Sequence, residues 1–297
     1  MADPSNQDLL KLVQDLQHRI DKLEAEAEVR KLHHKYGYYL DKCLYQETHA
    51  LFASHPDTYV QFLNGRFRGL AGVKRLYIDR FQSTFTAGRN GPVHGFLLDH
   101  LQAQDIVDYF PPVEGVKGRE LPKCKARFRA LMSAGNHMSM EDGKLGRGKR
   151  QWWEGGLYEN EYIKEDGKWK VFRLRCRYFS AQLELLCFSG KLPEWIADGL
   201  RIDFPFWHGT AEHGWQFTPP DYVPPFSKTL ADGDPMGPDE LLKHDERLWP
   251  DTRVVPFHYA HPVTGKQVAE ADLRAPPLGE SVDTAGVRPA RVIEDSF

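Results

Sequence analysis

The chain has 297 residues, 41% of them apolar and 27% charged, which suits one large or two modest globular domains and is too apolar for a fully disordered chain. Its 39 Lys and Arg residues face 42 Asp and Glu residues, and the resulting net charge of −3 speaks against a dedicated nucleic-acid binder. No apolar run approaches the roughly 18 residues that span a bilayer, the opening MADPSNQDLL has no secretory pattern, and Cys43, Cys124, Cys176 and Cys187 form no CxxC pair, so a cytoplasmic protein with reduced thiols and no membrane partner is expected.

Residues 5 to about 33 carry the clearest helical pattern. Ser5 and Asp8 form a capping-box-like start, and Leu9, Val13, Leu16, Ile20, Leu23 and Ala27 recur at the alternating spacings of a coiled-coil seam. Self-association through this arm and packing against its own domain are both open on this pattern. A second helix is expected from about Val29 to Asp41, and a shorter one across Gln46–Phe52. TYVQFL (58–63) reads as a strand, NGRFRG as a turn, and Leu70 to about Phe85 as a helix.

From Val93 the pattern changes to long strands: 93–110, 124–132, 152–164 and 169–180, the last two joined by the tight turn EDG. Helices first and then an antiparallel meander predict an α+β fold in which helices cover one face of a curved sheet. Of the 20 prolines, 14 fall between Pro193 and Pro289, where PEWIADGL and PDELLKHDERLW read as short helices and the rest as irregular chain. The same stretch holds Trp195, Phe204, Phe206, Trp207, Trp215, Phe217, Tyr222 and Phe226. So aromatic a tail is expected to pack as an extended arm over the domain or a neighbour. The resulting division is a helical arm (1–27), an α+β pocket domain (28–189) and a Pro- and aromatic-rich extension (190–297).

GxGxxG after a strand, GxxxxGK[ST], HExxH and GxSxG are all absent, and His208 and His213 do not amount to a metal motif, so neither a metal nor a cofactor is expected. An acid–base constellation remains. Asp41 shares a helical face with Tyr38, His34 and, if the helix continues, Tyr45. Period two puts His94, Phe96, Leu98 and His100 on one face of the long strand, with His100 about 20 Å beyond His94. Trp152, Glu154, Gly156, Tyr158 and Asn160 share a face of the next-to-last strand, and Lys170, Phe172 and Leu174 a face of the last. Asp41 is therefore expected to meet His94 in an aromatic hollow, where a carboxylate holds one imidazole tautomer and tunes it for proton transfer. The arginines Arg173, Arg175 and Arg177 read as a solvated or dimer-facing ridge.

HHKYGYYLDKCLYQETHALF, FLNGRFRGLAGVKRLY, PVHGFLLDHL and GGLYENEYIKEDGKWKVFRLR together resemble the nuclear transport factor 2-like superfamily, SnoaL-like branch, over roughly residues 28–182. The resemblance implies a cone: a curved antiparallel sheet wrapped on helices around one deep pocket. It implies a cofactor-free enzyme such as a dehydratase, isomerase or cyclase, or a non-catalytic binding or oligomerisation module. In scytalone dehydratase-like members an Asp and a His work together, and Asp41 and His94 fall at those positions. A second His is missing from 124–132, and Tyr158 stands at an asparagine position. The long aromatic arm resembles that of bacterial lyases that release formaldehyde from lignin-derived diaryl dimers. The function so implied is a lyase acting on a small phenolic substrate by acid–base elimination. The roles implied are catalysis for His94, Asp41, Tyr38 and Tyr158, and substrate contact for His34, Tyr45, Phe96, His100, Trp152 and Phe172. A homo-oligomer is expected.

Overall fold

The computed structural model describes residues 5–116, 120–136, 151–178, 207–210, 214–217, 226–242, 253–254, 256–269 and 291–292. The two expected N-terminal helices are one, α1 (Asn6–Asp41), opened by a complete capping box in which Ser5 and Asp8 satisfy each other's backbone N–H. Its buried residues, Ala25, Val29, His33, Tyr36, Gly37, Leu40 and Asp41, recur every three or four positions, so one face of its C-terminal half enters the core. Cys43, at φ 53, ends the helix and turns the chain into α2 (Tyr45–Ala50).

β1 (Tyr59–Phe62) and β2 (Gly65–Arg68) form a hairpin in which Phe62 pairs with Gly65. The expected turn NGRFRG is therefore largely strand, because Leu63 (φ 51) and Asn64 suffice to reverse the chain. α3 (Gly69–Lys74) runs through a π-helical stretch, Arg75–Gln82, into α4 (Ser83–Thr86). The wider π turn lets three successive residues, Arg75, Leu76 and Tyr77, be buried.

The long strands follow: β3 (Phe96–Phe110), β4 (Lys123–Asn136), β5 (Gln151–Glu165) and β6 (Lys168–Tyr178). β7 (Trp207–Thr210) pairs with β8 (Gly214–Phe217), and β9 (Glu240–Leu241) closes onto β2. The main sheet has the order β3-β4-β5-β6-β1-β2-β9. The fold is thus α+β, with a curved, unclosed sheet and a long N-terminal helix. The sheet is mixed, since β1 runs parallel to β6 against an otherwise antiparallel meander. Its inner face buries Cys124, Ala126, Phe128, Ala130, Met132, Tyr158, Tyr162 and Leu174 against α1 and the π-helical stretch. Full burial of one such side chain contributes about 1.5–3 kcal/mol.

The expected helix at 238–249 is corrected over its described part. Glu240–Leu241 is strand, because the free edge of β2 at Gly65–Arg66 offers it ladder partners. Around it, 226–242 straps the sheet. Phe226 packs on Phe62 and Phe67, and the Asn64 amide both accepts from Phe226 N (2.7 Å) and donates to Phe226 O (3.0 Å). Gly65 is required here, since a Cβ would lie 2.7 Å from Phe226 and 2.9 Å from Pro238. PEWIADGL lies outside the described residues.

The outer face is densely charged. Arg175 is buried and donates to Glu161 (2.5 Å) and Tyr59 (2.6 Å), while Lys123 and Arg173 lie 3.1 and 3.5 Å from the same carboxylate. The solvated ridge is thereby corrected for Arg175: alternation directs it outward, but Glu161, diagonal to it on the neighbouring strand, captures it. The side chain of Arg177 lies outside the described residues. Burial alone raises the Glu161 carboxyl, yet Arg175, Lys123 and Arg173 outweigh it and hold the group at about 2. The segment 256–259 covers the neighbouring stretch: Arg127 pairs with Glu159 and donates to Pro256 O (2.6 Å), and His258 Nδ1 lies 3.0 Å from Glu159. Among the described residues no helix is long and apolar enough to cross a membrane.

Candidate active site

The site forms where α1 lies antiparallel along β3. His18 meets Tyr109, Arg30 pairs with Asp105, His33 bonds Gln102, and Asp41 reaches His100. A bulge makes this possible. Pairing with β4 breaks between Ala103 and Ile106, with Gln104 at φ 51, and the inward set switches from Leu98, His100 and Gln102 to Asp105, Val107 and Tyr109. Helix and strand approach closely at Gly37, where a Cβ would stand 3.1 Å from Gln102 Cγ.

At the end of α1, Asp41 Oδ1 accepts two bonds from His100, from its backbone N–H at 3.0 Å and from Nδ1 at 2.5 Å. Both side chains are almost fully buried. A carboxylate accepts only, so the proton of the neutral imidazole sits on Nδ1 and the lone pair on Nε2. No described residue bonds His100 Nε2. One inward position further along, Gln102 Nε2 is buried and without a hydrogen-bond partner among the described residues. Across the ladder, His100 faces Met132, Gln102 faces Ala130, and Ala130 faces Gly156. Small side chains thus line the sheet beside Gln102, and Met132 lies beside His100.

Deeper along the same interface His33 is wholly buried. Its Nε2 donates to Gln102 Oε1 (3.0 Å), and its Nδ1 accepts from Tyr162 OH (2.9 Å), which in turn accepts from Asn160 Nδ2 (3.0 Å). The ring stacks on Phe128 at 3.7 Å and meets Tyr158 edge-on at 5.0 Å. Desolvation pushes His33 down to about 3, so it is neutral at physiological pH. Burial likewise pushes the Tyr162 phenol up. Beside them Tyr36 and Tyr77 share a hydroxyl–hydroxyl bond at 2.9 Å.

These positions correct several expectations. His94 is exposed in the turn before β3 rather than within the strand, and the Asp41 carboxylate is on His100 instead. The strand starts later than its pattern suggests, and α1 runs far enough beside it to bring its last residue level with His100. Tyr38 is 73% exposed, since it lies outside the face that enters the core. Tyr45 is buried with its hydroxyl unbonded among the described residues, but α1 stops at Asp41 and does not carry it. Phe172 belongs to a separate small cluster with Ala53 and Ile163, because a bulge between β5 and β6 breaks the alternation that would join it to Leu174. His34 is half-buried, edge-on to Phe128 at 6.2 Å, and Phe96 stacks on Phe85 at 5.4 Å. Tyr158 is fully buried on the inner face. Trp152 pairs through its backbone with Ala134, and its side chain lies outside the described residues.

Sequence reasoning missed His33, Gln102 and Tyr162. Two signals were present: His33 sits four residues after Val29 and eight before Asp41, on the buried face of α1, and Tyr158, Asn160 and Tyr162 alternate along β5. Among the described residues no group of three His, Cys, Asp or Glu side chains is arranged to hold a metal ion.

A profile of the SnoaL-like domain matches residues 21–175, more than half of the chain. Solved structures with similarity include a candidate scytalone dehydratase from Novosphingobium aromaticivorans DSM 12444 (19% identity, 55% of this chain and 89% of that one, TM-score 0.39). Two others are hexachlorocyclohexane dehydrochlorinase LinA-type3 from Novosphingobium barchaimii LL02 (16%, 57% and 92%, 0.38) and ActVI-ORFA from Streptomyces coelicolor (13%, 52% and 96%, 0.37). No curated protein matches the chain.

Proposed function

The chain belongs to the SnoaL-like domain family, and on that premise we propose that it is a lyase which eliminates across a small phenolic substrate by general acid–base catalysis. The observation that carries this reading is the Asp41–His100 pair, bonded at 2.5 Å with Nε2 of the imidazole unengaged by any described residue. Asp41 holds the Nδ1–H tautomer and stabilises the imidazolium that forms when Nε2 takes a proton. Gln102 Nε2, a buried donor without a partner among the described residues, is placed to hold a substrate oxygen. Across the sheet from Gln102, Ala130 and Gly156 carry no bulky side chain.

The finer reading is a diaryl substrate with a benzylic alcohol para to a phenol and a neighbouring primary alcohol. Protonated His100 gives its Nε2 proton to the departing benzylic hydroxide, which leaves as water, and loss of the phenolic proton yields a quinone methide. The now neutral Nε2 removes the proton of the primary alcohol. The carbon–carbon bond breaks, its electrons return to the ring and the phenol oxygen is reprotonated. Formaldehyde and a stilbene result, and no redox step is involved. A well-placed acid–base group contributes about 10²–10⁴ in rate, with orientation in the site supplying much of the rest.

The test is an assay of the purified chain against a panel of diaryl and polyketide-like phenols, following formaldehyde and new conjugated absorbance. Turnover that disappears in His100→Ala and persists in His94→Ala supports the assignment. Full turnover in His100→Ala would overturn it. A product of unchanged mass would make the chain an isomerase or cyclase and overturn the lyase reading.

A further inference from the structure

We propose that the N-terminal half of α1 joins a second copy of this chain in a parallel, two-stranded coiled coil. Residues 5–20 are all exposed, although Leu9, Val13, Leu16, Ile20 and Leu23 lie on one stripe of the helix and are each 44–65% exposed. A stripe of large aliphatic side chains left in water marks an interaction site.

The fold separates the two roles that the seam alone left open. With Val13 and Ile20 at the a positions and Leu9, Leu16 and Leu23 at d, the helix meets its own domain through His18 and Ala25. These are f positions, diametrically opposite the a/d stripe. The domain therefore occupies the back of the helix, and the seam points away from it over about 21 Å of helix.

Side-chain identity then selects the occupant. β-branched residues at a with leucine at d are the combination that favours two parallel strands. In a parallel pair each g residue meets the e residue five positions later on the other strand. Arg19 meets Glu24 across such an interface, opposite in charge, while Leu12 and Gln17 flank the first heptad without charge. An antiparallel pair in which Val13 faces Leu23 would instead set Arg19 against Arg19 of the other copy. The surface is thus complementary to itself in one orientation, and its occupant is a second copy with both pocket domains at the same end of the rod.

Sedimentation velocity of the full chain across a range of concentrations tests this. The expected result is a species of twice the chain mass that becomes a monomer in the double variant Leu16→Lys/Ile20→Lys. Circular dichroism of that variant should keep the signature of a folded chain, because neither residue touches the core. Arg19→Glu should weaken the dimer severalfold, and Arg19→Glu/Glu24→Arg should restore it. Orientation is read by Val13→Cys, which in a parallel pair oxidises to a disulfide-linked dimer absent from the parent chain. A chain that stays monomeric as concentration rises, a dimer that survives Leu16→Lys/Ile20→Lys, or a dimer that Val13→Cys fails to cross-link would each overturn the proposal.

Discussion

Two places along the α1–β3 interface, one inside the core and one at the end of the helix, each hold a histidine bonded across from helix to strand, and they are built for opposite behaviour. At the deep end both ring nitrogens of His33 are spoken for, by Gln102 and Tyr162, and desolvation holds the ring at about 3. It carries no usable proton near neutral pH and serves as a rigid part of the core. At the other end the His100 ring has one nitrogen on Asp41 and the other unengaged among the described residues. The contrast teaches that burial of a histidine is not itself a sign of catalysis. What matters is whether a partner fixes one nitrogen while the other stays available.

The largest expected break in this comparison comes from His100→Ala, which should lower kcat/KM on a phenolic substrate about 10²–10⁴-fold while His94→Ala stays near the parent value. Asp41→Asn should follow, with a loss on the order of 100-fold in kcat, since the amide no longer enforces the tautomer or stabilises the imidazolium. His100→Ala also strands the buried Asp41 carboxylate and should cost stability, so circular dichroism and urea unfolding accompany the kinetics, which are compared at temperatures where every variant is folded.

The deep end should answer in stability instead. His33→Phe keeps a flat ring on Phe128 but strands Gln102 and Tyr162, at a cost of about 2 kcal/mol in urea unfolding. Its pH signature is specific. An unfolded histidine takes its proton near 6.5, whereas folded His33 does so near 3. The unfolded chain therefore binds more protons between these values, and stability present above 6.5 is lost as pH falls, at about 1.4 kcal/mol per pH unit. Glu161, whose carboxyl shifts from 4.5 to about 2, adds its own loss only below 4.5. In the window from 6.5 to 4.5, unfolding free energies of the parent chain should thus decline more steeply than those of His33→Phe. An equal slope in the two would remove His33 from this role.

Gln102 lies along β3 between the two, with Oε1 on His33 and Nε2 unengaged among the described residues. Gln102→Leu should have the smallest effect and divide it, raising KM severalfold and costing about 1 kcal/mol. A change in kcat alone would contradict the positioning role.

Much of the architecture was legible in local patterns. The capping box, the apolar spacing of α1, the alternation along β4 and β5 and the EDG turn are each written within a few residues, since helix and strand periods act at short range. So was the need for a carboxylate at the end of the tyrosine-rich helix. The identity of its partner was not. Strand parity places His94 and His100 alike, and nothing local says where β3 begins, how far α1 runs beside it or where its bulge falls.

Bulges follow from how neighbouring strands and the helix fit together, so the alternation that correctly reads Tyr158 and Asn160 fails at Phe172 and beyond Gln102. The helical stripe from Leu9 to Leu23 was visible in one dimension, while the side that the domain leaves uncovered required the packed chain. Short-range periodicity sets which residues share a face. Contacts between residues some 60 positions apart, such as Asp41 and His100, depend on the lengths and irregularities of every element between them, and these emerge when the whole core packs at once.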